Sequence, residues 1–345
     1  TLFRSMATNP RQVIAADVNG DQKLDLISPN SGSASVTVRL GAGDGTFGNL
    51  GTVAIGSGTS PFAVAAADVN GDGKLDLVTA NNNSNNITVR LGVGDGTFTT
   101  PASPTFAAGA GPYDLAIGDL NGDGKADVVV ANNGSSNVSI LLGGGDGTFQ
   151  AQPSTSLSGT QPNAILLADF NGDKKLDFAT ADLNGNDATV KLGTGTGAFG
   201  VGSTVMAVNA PTDLAAADFN LDGKLDLIIA NSSTGTIRLS LGVGDGTFLN
   251  SVTPAVSPAM SGRSIASGDF NGDGKPDVAV AHYVAGNVSI LLGNGDGTFA
   301  TQQAFPLQGA PGHLSVADLN KDGLSDLVAT DLNAAAVVVR LSQCQ

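Results

Sequence analysis

The sequence predicts an all-β fold, a seven-bladed β-propeller with four antiparallel strands per blade, in which residues 1–345 form a single domain. Three observations predict it: a sevenfold repeat, four short strand-like runs in each copy, and a composition that disfavours helix. DVNGDQKLD at 17–25 returns as DVNGDGKLD at 68–76, DLNGDGKAD at 119–127, DFNGDKKLD at 169–177, DFNLDGKLD at 218–226, DFNGDGKPD at 269–277 and DLNKDGLSD at 318–326. The first aspartates stand 51, 51, 50, 49, 51 and 49 residues apart, so the array has no gap. All 31 acidic residues are aspartate, and the strong helix former glutamate is absent.

Each copy reads as the same succession, taken here from the second. Phe62–Ala67 is the first strand. Its equivalents are rich in small residues (Ala15–Ala16, Ala215–Ala217), which suits the crowded position nearest a propeller axis. The aspartate loop follows, then Leu75–Ala80 and Ile87–Leu91 as second and third strands. A GDGTF turn comes next, ending at Phe47, Phe98, Phe149, Phe248 and Phe299 in five copies and degraded to Gly195–Phe199 in the fourth. The fourth strand is expected over Phe98–Phe106. Copy seven stops after its third run, Val337–Leu341, and Thr1-Leu2-Phe3 matches the missing Gly-Thr-Phe. An N-terminal strand is therefore expected to pair with the C-terminal blade and close the ring, covering an open edge.

The aspartate loops place oxygen side chains at positions 1, 3, 5 and 9, with a backbone carbonyl at 7. A hard cation such as calcium takes six to eight oxygens in flexible geometry, and glycine at position 6 permits the sharp turn. The candidate ligands are Asp17, Asn19, Asp21, Lys23 and Asp25 in copy one, and Asp68, Asn70, Asp72, Lys74 and Asp76 in copy two. Copy three offers Asp119, Asn121, Asp123, Lys125 and Asp127; copy four offers Asp169, Asn171, Asp173, Lys175 and Asp177. Copy five offers Asp218, Asn220, Asp222, Lys224 and Asp226, and copy six Asp269, Asn271, Asp273, Lys275 and Asp277. Copy seven offers Asp318, Asn320, Asp322, Leu324 and Asp326; position 7 acts through its carbonyl in every copy. A bare Asx turn explains one such loop, but seven in register point to up to seven Ca2+. Seven divalent ions would bring the net charge of −15 close to zero. Gln22 and Lys174 replace glycine at position 6, and Leu221 and Lys321 replace glycine at position 4. Weaker affinity is expected in copies one and four.

These motifs resemble the FG-GAP/VCBS repeats, over nearly the whole chain. That family includes the integrin α-subunit head, a mushroom lectin family and repeats of bacterial surface proteins. The resemblance implies a seven-bladed propeller with calcium in the loops, and leaves function open, since its members bind glycans, bind proteins or carry lyase activity.

The remaining inventory disfavours an enzyme. There is no glutamate, and the two histidines, His282 and His313, fall in predicted loops where a solvated ring is the expectation. Cys344 reads as an inert thiol with no disulfide partner. Asp114 and Asp213 share one position ahead of their loops, which suggests a repeated turn role. Sixteen basic residues against 31 acids disfavour nucleic acid, and no run is apolar enough to span a membrane. The reading is an extracellular or cell-surface adhesion module, either on its own or as part of a larger surface protein. It would bind a glycan or protein through the face opposite the calcium loops. A lectin with sugars between blades is the alternative, although tryptophan is absent; a polysaccharide lyase ranks last.

Overall fold

The computed structural model describes residues 2–4, 8–48, 51–56, 59–206, 209–233, 236–249, 262–300, 303–307 and 309–342. Cys344 and Thr1 lie outside them. The strands form seven antiparallel sheets, each built in chain order from one repeat except the last. Blade two shows the pattern: inner strand Pro61–Ala67, second strand Asp76–Asn81, third strand Asn86–Gly92. Its outer edge departs from the expected continuous run. Pro101 and Pro104 lack the amide that a ladder needs, and the edge breaks into Phe98–Thr99 and Thr105–Ala107.

Blade seven takes Pro311–Ala317, Asp326–Asp331 and Ala336–Arg340 from the C-terminal end of the chain. Its fourth strand is Leu2–Arg4, antiparallel to Ala336–Arg340 with Phe3 opposite Val337. The expected closure of the ring by the N-terminal strand is therefore present.

The second strands of all seven blades are buried along their whole length. This follows from stacking: each blade has a neighbour on both faces, so both sides of the strand must be apolar or satisfied. Apolar side chains cluster accordingly, one cluster at each junction between blades. Val78 and Val89 of blade two pack with Val128 and Leu141 of blade three, and Leu26 of blade one packs with Val328 and Val339 of blade seven.

The inner strands carry a register shift near their start, between Pro61 and Ala63, Pro112 and Asp114, Pro162 and Ala164, Pro211 and Asp213, and Gly262 and Ser264. A bulge of this kind leaves one residue unpaired and re-aims its side chain. The unpaired residues are Phe62, Tyr113, Asn163, Thr212 and Arg263. All lie at the end of the inner strand remote from the aspartate loops.

Candidate functional site

The aspartate loop is built from its first residue outward. Position 2 is apolar and buried in every copy (Val18, Val69, Leu120, Phe170, Phe219, Phe270, Leu319), which pins the loop to the blade junction. Position 1 then organises the turn. In copy two, Asp68 Oδ1 accepts the amides of Gly71 at 2.7 Å and Asp72 at 3.2 Å, while Oδ2 accepts that of Gly73 at 2.8 Å. Asn70 Oδ1 accepts the Asp72 amide at 3.0 Å, and Asp72 Oδ1 accepts that of Lys74 at 3.0 Å. These bonds hold Asp68 below the ordinary carboxylate range against the opposing effect of its desolvation.

Positions 4 and 6 are left-handed in every copy, from Gly71 and Gly73 (φ 76° and 79°) to Leu221 (φ 56°) and Lys321 (φ 62°). Gln22 and Lys174 adopt φ of 64° and 65° at position 6. A side chain there costs about 1 kcal/mol, so copies five and seven carry at position 4 the strain that copies one and four carry at position 6.

Position 9 has a second task that its place in a ligand motif conceals. Asp76 is fully buried; its Oδ2 accepts the Val69 amide at 3.0 Å and its Oδ1 the Gly92 amide at 2.7 Å. Asp25, Asp127, Asp177, Asp226, Asp277 and Asp326 repeat the arrangement on their own loops. This carboxylate ties the aspartate loop to the far end of the third strand. Burial raises it above the ordinary range, and the neighbouring Asp72 and Asp68 charges add to that rise.

Among the described residues, the counter-charge beside these carboxylates is weak. In six loops a position-7 lysine Nζ lies 3.2–4.0 Å from the position-5 carboxylate, as an exposed pair. Among the described residues, no three acidic, histidine or cysteine side chains converge closely enough to enclose a metal by themselves. A cation here would rest also on the position-3 amide oxygen and the position-7 carbonyl. The GDGTF aspartates have a different role: Asp95 Oδ1 accepts both the amide and the hydroxyl of Thr97, at 2.9 and 2.6 Å, and so forms the turn.

Six overlapping stretches, 17–79, 68–130, 119–180, 169–229, 218–280 and 269–329, match the FG-GAP-like repeat. The chain belongs to the FG-GAP-like repeat family. Among solved structures, this FG-GAP propeller is similar to a lectin of Agrocybe aegerita described as recognising non-reducing terminal N-acetylglucosamine. The two are 20% identical over 88% of this chain and 81% of the lectin, with a TM-score of 0.55. It is similar in fold to virginiamycin B lyase of Staphylococcus aureus (10% identity, 98% and 96% coverage, TM-score 0.67). The same holds for the propeller BBS1N in complex with ARL6DN (10% identity, 99% and 97% coverage, TM-score 0.65). At these identities the likeness is one of fold. The comparison with curated proteins found no match.

On the opposite face of the FG-GAP propeller, the starts of the seven inner strands ring a cavity of about 70 Å³. Sequence reading missed this site, because one repeat position varies from blade to blade: Gln12, Ala63, Asp114, Ala164, Asp213, Ser264 and His313. Aligning the copies and reading that variable column would have found it. Several of these side chains staple adjacent blades. Gln12 Oε1 accepts the Val64 amide at 2.7 Å, and Ser264 Oγ accepts that of Leu314 at 3.0 Å. Asp114 accepts the amides of Leu115 and Ile165, each at 2.9 Å; Asp213 accepts those of Leu214 at 2.9 Å and Ile265 at 3.0 Å. Each carboxylate thus serves its own strand and the next blade, so the preceding blade can carry alanine. The expected turn role of Asp114 and Asp213 is replaced by this inter-blade one.

Burial pushes Asp114 up to about 7 and Asp213 up to about 6. His313 is not the solvated ring expected: enclosed at the mouth, it is pushed down to about 4, first by burial and then by Arg263. His282 is also misplaced by the loop reading. It is the last residue of the strand Asp277–His282, fully buried, with Nε2 2.9 Å from Ser289 Oγ. It occupies the place that Asn81 and Asn132 hold in their blades, bonded to Thr88 and Ser139.

Proposed function

We propose that this FG-GAP propeller is an extracellular, calcium-stabilised module without catalytic activity that binds a glycan or protein ligand in adhesion. The observation that carries the reading is the sevenfold aspartate loop. Each copy brings three carboxylates, an amide oxygen and a carbonyl to one side of a blade, and the position-9 carboxylate is raised above its ordinary range by burial and then by the two other aspartates of its loop. The donors are all hard oxygens in an irregular set, which suits Ca2+ better than the strict octahedron of Mg2+. When bound, the ion supplies the missing positive charge and cross-links the loop. The residues that would hold it are those at positions 1, 3, 5, 7 and 9 of each copy. Weak oxygen sites fill at the millimolar calcium found outside cells, which supports an extracellular setting.

The absence of catalysis is supported by the chemistry on hand. Glutamate is absent, and His282 serves packing within its blade. The ligand face is the one opposite the loops, because the cations would leave it open. A labelled protein screened against immobilised glycans and matrix proteins, in calcium and in chelator, tests this. Binding to one class in calcium and loss of that binding in chelator is the expected result; blank surfaces with folded, calcium-loaded protein would refute the adhesion reading.

The loops should differ in affinity. Calorimetric titration of Ca2+ into chelator-treated protein is expected to resolve tighter and weaker classes of site. Gln22→Gly, which removes a left-handed side chain worth about 1 kcal/mol, should tighten one weak site by roughly fivefold. An unchanged isotherm would show that backbone strain does not limit that site.

A further inference from the structure

The mouth of the central channel concentrates positive charge in a chain of net charge −15. Arg11 and Arg263 both line the cavity, from blades one and six. Each lies over an aromatic ring: the Arg11 guanidinium carbon is 4.4 Å from the centroid of Phe62, and that of Arg263 is 5.4 Å from the centroid of Tyr283. Arg11 Nε donates to Ser31 Oγ at 3.2 Å, whereas the buried Arg263 Nε and His313 Nδ1 find no partner among the described residues. Neither guanidinium forms an ion pair with a carboxylate among those residues. Burial and the nearby Arg263 both make Arg11 a stronger acid than usual, so the two like charges share one enclosed space. Buried donors left unmatched are costly, and two guanidinium forks facing one cavity call for an anionic oxygen pair.

We propose that the channel mouth binds a small organic carboxylate, its oxygens clamped between Arg11 and Arg263 and its body set against Phe62 and Tyr113. The two rings meet edge to face at 5.2 Å and form the apolar wall of the site. Size limits the guest: a cavity of about 70 Å³ has room for roughly five waters, which suits one carboxylate head with a short remainder. Charge selects a monoanion. Asp114 and Asp213 stand in the same ring, and their raised proton affinities leave the site with a small net positive charge near neutrality. A dianionic phosphate would be undercompensated there. The site requires neither the cations nor the rim loops, and so goes beyond the adhesion reading.

Isothermal calorimetry on the full chain in calcium, with acetate, lactate, neutral acetamide and inorganic phosphate, tests the assignment. Acetate and lactate should bind and acetamide should not, with phosphate weaker than either carboxylate. Arg263→Gln should weaken carboxylate binding about tenfold or more, while Lys191→Gln, an equal loss of charge elsewhere, should leave it unchanged. Arg263→Lys keeps the charge without the fork and should fall between; it and Arg11→Gln decide the matter if Arg263→Gln does not fold. No carboxylate binding by the folded wild-type protein, equal binding of acetamide, tighter binding of phosphate, or full affinity in the folded Arg263 and Arg11 variants would each overturn the proposal.

Discussion

Removing calcium should lower the melting temperature of the propeller by at least about 10 °C, the largest single effect expected of this molecule. A ligand that binds only the folded state contributes about 2.7 kcal/mol at a hundredfold excess over its dissociation constant. Three or four loops filled to that degree would match the whole net stability of an ordinary domain, about 5–15 kcal/mol. For a chain of 345 residues, 1 kcal/mol moves the midpoint by roughly 1–2 °C. Each unfilled loop also keeps three carboxylates near one another with one exposed lysine as partial relief, as at Asp68, Asp72, Asp76 and Lys74. Scanning calorimetry in millimolar calcium, in magnesium and in chelator measures the effect. Equal melting in all three would remove calcium from the account of this fold.

The second large effect separates two aspartates of one loop. In chelator, Asp76→Asn should cost about 1–3 kcal/mol, whereas Asp72→Asn should cost less than about 1 kcal/mol. Asp76 is fully buried and accepts a backbone amide on each oxygen, from Val69 and Gly92. An asparagine keeps one acceptor and turns an NH2 group toward the other amide, leaving a buried donor unmet. Asp72 is exposed, bonded to the Lys74 amide and paired loosely with Lys74 Nζ at 3.8 Å. In calcium, both variants should lose the loop's metal-dependent stability as well. Urea midpoints of the two variants, with and without calcium, give all four values. If Asp76→Asn were silent in chelator, the staple would have no energetic role and position 9 would act through metal alone.

The large features of the fold were legible because they rest on spacing. Seven copies of DxNxDxxxD gave the blade count, and the match of Thr1-Leu2-Phe3 to Gly-Thr-Phe located the strand Leu2–Arg4 against Ala336–Arg340. What escaped the sequence was whatever depends on closing the ring. Asp114 and Ile165 lie 51 residues apart, and nothing local announces that one carboxylate caps the other's amide. His282 reads as a loop residue because its equivalents, Asn81 and Asn132, are turn-forming residues, yet it ends a buried strand and takes the place of an asparagine. Position 9 was hidden by its double use, since ligand pattern and structural staple call for the same aspartate.

The inner strand also sets a distance. Pro61–Ala67 runs from the channel mouth to the aspartate loop, about 20 Å at 3.3 Å per residue. That is more than twice the roughly 8 Å over which charges in physiological salt feel one another. Cations held in the loops would thus be largely screened by solvent salt from a guest at the other face. A change in calcium would reach the channel mouth only mechanically, through the firmness with which each blade holds its neighbours, and the two faces are free to vary their chemistry independently.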